Sequence, residues 1–166
     1  MSKNTKNFVL PLLAVVAVIV VFILSSKKAL VSAIGSNNLP LANYEVNNQF
    51  VIPISELTKD VKFFSLDDRG TDIEILTAID KNGNPKATLN TCQNCMGSPK
   101  AYFIQEGDSV VCQNCGIGHK IETLGTAKRG CNPIPIDSLA IDGENISFEK
   151  SELLASADLF KTIVKE

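Results

Sequence analysis

All five cysteines of this 166-residue chain lie between Cys92 and Cys131. Four form two Cys-x-x-Cys pairs, Cys92/Cys95 and Cys112/Cys115, separated by 16 residues. Thiolates are soft, charge-bearing ligands, and two residues between cysteines let both sulfurs turn inward from one tight loop. Between the pairs, Ala101–Ile104 and Ser109–Val111 flank Glu106-Gly107-Asp108, which predicts a hairpin. A hairpin brings its ends together, so the two loops should sit side by side. Gly116 and Gly118 follow the second loop and let the backbone approach a metal centre and offer it N–H groups.

The competing reading is two vicinal disulfides or redox-active dithiols. A thioredoxin-like dithiol sits at a helix start near a βαβ pattern, which is missing here, so metal or cluster binding is the favoured expectation. The spacing does not choose between a Cys₄ zinc site and an iron–sulfur cluster. Cys131 opens the rigid run Gly130-Cys131-Asn132-Pro133-Ile134-Pro135. It can be read as a small buried residue, a fifth ligand, or a reactive thiol beside the centre. The prolines that follow it suit a lid over a site. His119 is a weaker ligand candidate, since its position at the start of a strand favours an ordinary half-buried histidine.

Composition excludes other chemistries. His119 is the one histidine of the chain, so a multi-histidine metal site is impossible and a Ser-His-Asp triad would have to use it. Four of the 16 basic residues precede Ala29, whereas all 18 acidic ones follow Asn43, so the chain after Lys28 carries 12 minus 18, or −6. An acidic domain without a basic stripe argues against a nucleic-acid partner.

Phe8 to Leu24 is a run of 17 residues without a charge, flanked by lysines on both sides. It is short for a spanning helix but long for the apolar core of a cleaved signal, which is about 7–15 residues. The reading adopted is an uncleaved, single-pass signal anchor over 1–35, with 36–48 as a polar linker and 49–166 as an extracytoplasmic metal-binding β domain. Within that domain, Phe50–Ile54, Val61–Leu66, Asp72–Ile79 and Ala87–Asn90 alternate or cluster apolar residues between turn signals, among them Asn82-Gly83. Asp142-Gly143 marks a further hairpin. Ser151 is the expected cap of a final helix whose stripe is Leu153, Leu154, Ala157, Phe160 and Ile163.

The order Cys-x-x-Cys, Tyr-Phe, Glu-Gly-Asp, Val-Val-Cys-x-x-Cys-Gly and Gly-Cys-Asn-Pro-Ile-Pro-Ile resembles the FtrD-like family of membrane iron–sulfur proteins. Val61-Lys62-Phe63-Phe64 also looks like that family's approach to its first cysteine. The likeness runs from about Val46 to Ile136. It departs at Met96–Lys100, where a glycine is expected sooner, and at His119, which stands at an apolar position of the family. The resemblance implies a membrane protein with an iron–sulfur cluster, and in some lineages a link to iron uptake through a permease.

A more distant likeness is to Rieske domains, whose loops carry one Cys and one His each. Here Cys95 and Cys115 would replace the histidines. A two-iron cluster on four thiolates would have a lower potential than a Rieske centre and no histidine-linked pH dependence. The expected fold is therefore mainly β, with an N-terminal transmembrane helix, a Rieske-like or zinc-ribbon-like core and a C-terminal helix. The expected function is electron transfer, with a permease or redox protein as partner. The alternatives are a structural zinc module of a membrane complex and a thiol–disulfide oxidoreductase. A carrier or binding protein is favoured over a catalyst.

Overall fold

The computed structural model describes residues 38–165, so the expected anchor over 1–35 lies outside the described residues. Among the described residues no helix is long and apolar enough to cross a membrane. Among the described residues the architecture is mainly β, with twelve strands and one short α-helix. The longest strand explains the rest. β5 (Thr71–Ile79) has six consecutive buried residues, Ile73 to Ala78. Side chains alternate across a strand, so a run buried on both faces must lie between two layers.

β5 is the centre of a five-stranded sheet in the order β1-β4-β5-β6-β10, formed by β1 (Leu39–Pro40), β4 (Lys62–Asp68), β6 (Pro85–Cys92) and β10 (Pro133–Pro135). The β4–β5 hairpin turns at Arg69 and Gly70, both at positive φ (52° and 85°), the geometry that matches strand twist in a two-residue turn. The β5–β6 turn is built on Asp80, whose carboxylate accepts the amides of Asn82 and Asn84 at 2.8 Å each.

One face of this sheet packs against a second sheet, β11-β12-β3-β2, made of β2 (Glu45–Val46), β3 (Gln49–Pro53), β11 (Ala140–Ile141) and β12 (Asn145–Glu149). Phe64, Ile73, Ile75 and Leu89 meet Phe50, Ile52, Ile146 and Phe148 there. Phe50 and Phe148 are directly opposite in the ladder, with ring centroids 5.8 Å apart. The other face carries Leu76 and Ala78 and packs against a three-stranded sheet, β7 (Phe103–Glu106), β8 (Ser109–Cys112) and β9 (Gly118–Lys120). This last sheet contains the hairpin expected between the cysteine pairs.

Two expectations are corrected. The described part of the expected linker, 38–48, is not a plain spacer: Leu39–Pro40 pairs with β4, Glu45–Val46 pairs with β3, and Leu41 is fully buried. The polar residues hid the apolar pattern of Leu39, Leu41 and Tyr44, which all reach the core. At the C-terminus, helix α1 (Lys150–Ala155) is only six residues long, and Ser151 lies inside it instead of capping it. The cause is that β12 runs directly into the helix, with Glu149 still paired to Gln49. The Ser156 hydroxyl donates to the Leu153 carbonyl at 2.7 Å, and a single 3-10 turn (Ala157–Leu159) follows. Leu153, Ala157 and Phe160 reach the core, but Leu154 is exposed.

Candidate metal centre

The first cysteine ends β6. The amide of Cys92 donates to Ala101 O at 2.9 Å, which holds the strand end against the approach to β7. A 3-10 turn, Gln93–Cys95, then carries Cys95 back, and Ser98 N closes onto Cys95 O at 3.0 Å. Gly97 makes the reversal at φ 88°. The second pair repeats the plan at the end of β8. Gly116 N donates to Cys112 O at 2.8 Å, Cys112 N donates to Ile117 O at 3.1 Å, and Gly116 turns at φ 72°. The loops are tied to each other as well. Gln113 N donates to Tyr102 O at 2.8 Å, and the Ser98 hydroxyl donates to Asn114 Oδ1 at 2.6 Å.

These turns converge four sulfurs. The Sγ atoms of Cys92, Cys95, Cys112 and Cys115 all lie within 4.8 Å of one another, and the Cys95–Cys112 pair is 3.9 Å apart. Cys92, Cys95 and Cys112 are buried and Cys115 is exposed. Backbone amides point at the sulfurs: Asn94 N–H at Cys92, Asn114 and Cys115 N–H at Cys112, and Ile117 N–H at Cys115. Such donors stabilise negative charge on sulfur.

Burial pushes the Cys92 thiol above its ordinary range, reinforced by the adjacent Cys95 thiol, and burial also raises Cys112 against its two amide donors. At Cys115 burial acts upward too, but the Ile117 amide and the hydrogen-bonded thiols of Cys112, Cys95 and Cys131 hold it below its ordinary range. Metal entry therefore has to expel protons from the buried pair.

Cys131 stands beside the four. Pro133 pairs with Cys92 at the start of β10, and Gln93 N donates to Asn132 O at 3.0 Å. Burial, reinforced by the neighbouring Cys115 thiol, raises the Cys131 thiol above its ordinary range. Its backbone carbonyl accepts a close hydrogen bond from His119 Nε2. The His119 ring stands edge-on to Phe103, with centroids 6.1 Å apart. His119 is thus tied to the backbone of the fifth cysteine and does not join the group of four sulfurs.

Asn90, two residues before Cys92, holds the site's strands together, a role that the sequence reading missed. Its Oδ1 accepts Phe103 N at 2.8 Å, and its Nδ2 donates to Phe103 O at 3.3 Å, so it clips β7 to β6. Nδ2 also donates to the buried carboxylate of Glu74, which Lys165 pairs with in turn. Lys165 Nζ lies over the rings of Phe63 and Tyr102, and Val164 N donates to Pro99 O at 2.9 Å, so the C-terminal tail is strapped across the first loop. The available signal was Glu74 itself, a lone charge inside the run Ile73-Glu74-Ile75-Leu76.

The fit to a metal is geometric. At a metal–sulfur distance of about 2.3 Å, a tetrahedral site places its sulfurs about 3.8 Å apart. The 3.9 Å separation of Cys95 and Cys112 matches this, and the whole set lies within 4.8 Å, about 1 Å more than that edge.

No curated protein and no solved structure matches the chain. A family match covers residues 57–160, extending further toward the C-terminus than the stretch from Val46 to Ile136 and starting later. It takes in all five cysteines, the Asn90 clip and α1. The chain belongs to the family described as membrane iron–sulfur containing protein, FtrD-like.

Proposed function

We propose that this protein is a membrane-tethered, extracytoplasmic electron carrier in which Cys92, Cys95, Cys112 and Cys115 hold a single iron. The observation that supports this reading best is the compact sulfur set, spaced for one tetrahedral ion. It favours the zinc-ribbon-like alternative for the core over the Rieske-like one. A four-thiolate iron supplies reversible one-electron transfer.

The chain's own residues tune that transfer. Four thiolates concentrate negative charge, which disfavours reduction, and the amides of Asn94, Asn114, Cys115 and Ile117 offset part of it. Burial of Cys92, Cys95 and Cys112 excludes water from three ligands, while the exposed Cys115 opens an edge through which a partner can exchange an electron. Met96 and Ile117, 54% and 45% exposed, follow Cys95 and Cys115 and give that edge an apolar contact surface. The implied partner is a redox protein or a membrane permease that needs iron reduced or oxidised during uptake.

A structural zinc ion is the second reading, favoured by the same spacing, because zinc also takes a closed tetrahedral Cys₄ set. Metal and sulfide analysis of the full chain, purified without oxygen, separates the two. One iron per chain without acid-labile sulfide, with a colour that bleaches on reduction, is the expected result. A colourless protein with one zinc supports the second reading. Two irons with two sulfides would overturn the single-ion centre.

A further inference from the structure

Charge is unevenly placed on this domain. The cysteine-bearing segments 92–102, 112–119 and 127–135 hold three basic residues, Lys100, Lys128 and Arg129, and no acidic one. The rest of the chain after Lys28 then has 12 minus 3, or 9, basic residues against all 18 acidic ones. Lys128 and Arg129 line a groove of about 490 Å³ against the first cysteine loop, together with Gln93, Asn94, Met96 and Ile134. Gln93 holds the two walls together: its amide donates to Asn132 O at 3.0 Å and its Nε2 to Ala127 O at 3.2 Å. Asp137, also on the groove, pairs with Lys128 at 2.6 Å, whereas Arg129 is exposed and its guanidinium has no ion pair or hydrogen bond among the described residues. The far end of the small sheet has the opposite character. Beside the β7–β8 turn, a second groove is lined by Asp60, Asp80, Asp108 and Glu122 against Lys59 and Lys81.

We propose that the groove beside the first cysteine loop docks an acidic surface of the protein with which the centre exchanges electrons. Arg129 receives a carboxylate of that surface, and the exposed Met96, next to Cys95, makes the apolar contact. This rests on the electron-carrier reading above and adds the charge of the partner and the face it meets. The acidic remainder of the domain repels such a partner, so the patch orients the encounter as well as holding it.

A protein surface fits better than a free small anion. A lone exposed cation holds such an anion weakly, because water and salt screen the pair. Affinity needs apolar burial beside it, and Met96, Ile134 and Pro135 offer an apolar wall that a carboxylate alone does not cover. A cation that only tuned the metal would reveal itself by sign. Its loss would lower the potential and speed oxidation of the centre, whereas loss of a docking cation slows oxidation by an anion.

The test uses the full chain in neutral detergent, with its iron reduced, and times its oxidation by ferricyanide. This trianion takes one electron from the iron and becomes ferrocyanide, and it stands in for the partner's carboxylates. The rate should fall as NaCl rises, although the net charge of the domain predicts the reverse. Arg129→Gln should lose about three- to tenfold at low salt, and Asp137→Asn, which frees Lys128, should gain about as much. With the trication tris(phenanthroline)cobalt(III) both changes should reverse sign, which misfolding does not produce. Lys59→Gln removes the same charge at the acidic groove and should change the ferricyanide rate by less than about twofold. Poly-L-glutamate should slow the wild-type reaction, and acetate at equal carboxylate concentration and ionic strength should not. A rate that rises with salt, an Arg129→Gln variant as fast as the wild type or faster, a Lys59→Gln variant as slow as Arg129→Gln, or acetate as effective as poly-L-glutamate would overturn the proposal. Oxidation by neither reagent would sink the electron-carrier reading and the docking face with it. Oxidation by the trication together with a ferricyanide rate that rises with salt removes the docking face alone.

Discussion

On one side of the five-stranded sheet, Phe64, Ile73, Ile75 and Leu89 pack against the aromatic pair Phe50 and Phe148, with Leu153 and Phe160 closing the end. On the other side, Leu76 and Ala78 meet a second buried cluster, in which Cys92, Cys95 and Cys112 lie alongside Phe103 and Val110 of the small sheet. The first core is apolar throughout and stabilises itself by burial, roughly 25 cal/mol for each Å² of apolar surface removed from water. The second gives much of its interior to thiols. These bury a polarisable group but gain their main cohesion only when a metal draws them together. The sandwich is therefore a scaffold, and the cysteine side is a site that its metal completes.

The largest effect should come from the ligands. Cys112→Ser removes a buried thiolate from the centre, and metal content by elemental analysis should fall to background while the circular dichroism of the sandwich strands persists. Collapse of the whole fold on loss of the ligand would break the distinction between the two sides. The reciprocal change is Phe148→Ala, which deletes one partner of the Phe50–Phe148 contact in the apolar core. It should cost about 3–5 kcal/mol in urea unfolding, the usual range for a buried aromatic, with unchanged metal stoichiometry in the protein that remains folded.

A smaller effect is expected at the seam. Asn90→Ala leaves the Phe103 N–H and C=O without their partner and removes a donor from Glu74. The cost should be about 1–3 kcal/mol for each buried group left unpaired. Hydrogen exchange should localise the loss to β7 and β8, with β3 and β12 still protected, and metal should leave faster on chelator challenge.

The smallest effect concerns pH. Burial pushes Asp80 upward, but the amides of Asn84 and Asn82, the Asn84 side chain and Lys86 outweigh it and hold its carboxyl below the usual range. The unfolded chain thus binds this proton more tightly than the folded one. The contribution is complete above the ordinary aspartate range and fades as pH falls through the folded value. Asp80→Asn should flatten the acid side of a Tm-against-pH profile and leave its neutral side with a constant offset.

Much of this contrast was readable in the chain. The alternation in Phe50–Ile54, the Asn82-Gly83 and Asp142-Gly143 turns and the hairpin between the cysteine pairs are local signals, and each forms a turn or strand where its residues predict one. The four-sulfur group follows from two repeated Cys-Gln-Asn-Cys loops brought together by a short hairpin. What the sequence hid is non-local. Leu41 looks like a linker residue until the parallel pairing of β1 with β4 carries it into the core. Glu74 looks like a solvent-facing strand residue until β7 covers that face and Asn90, Lys165 and Asn38 converge on it. His119 looks like a ligand candidate until β9 and the segment before β10 set its ring against a carbonyl.

X-ray absorption at the metal edge of the full chain, isolated with its native metal, tests the central claim most directly. A single iron in this sulfur set predicts four sulfur neighbours at about 2.3 Å and no second metal nearby. An iron–iron scattering shell, or nitrogen and oxygen donors in place of sulfur, would contradict it.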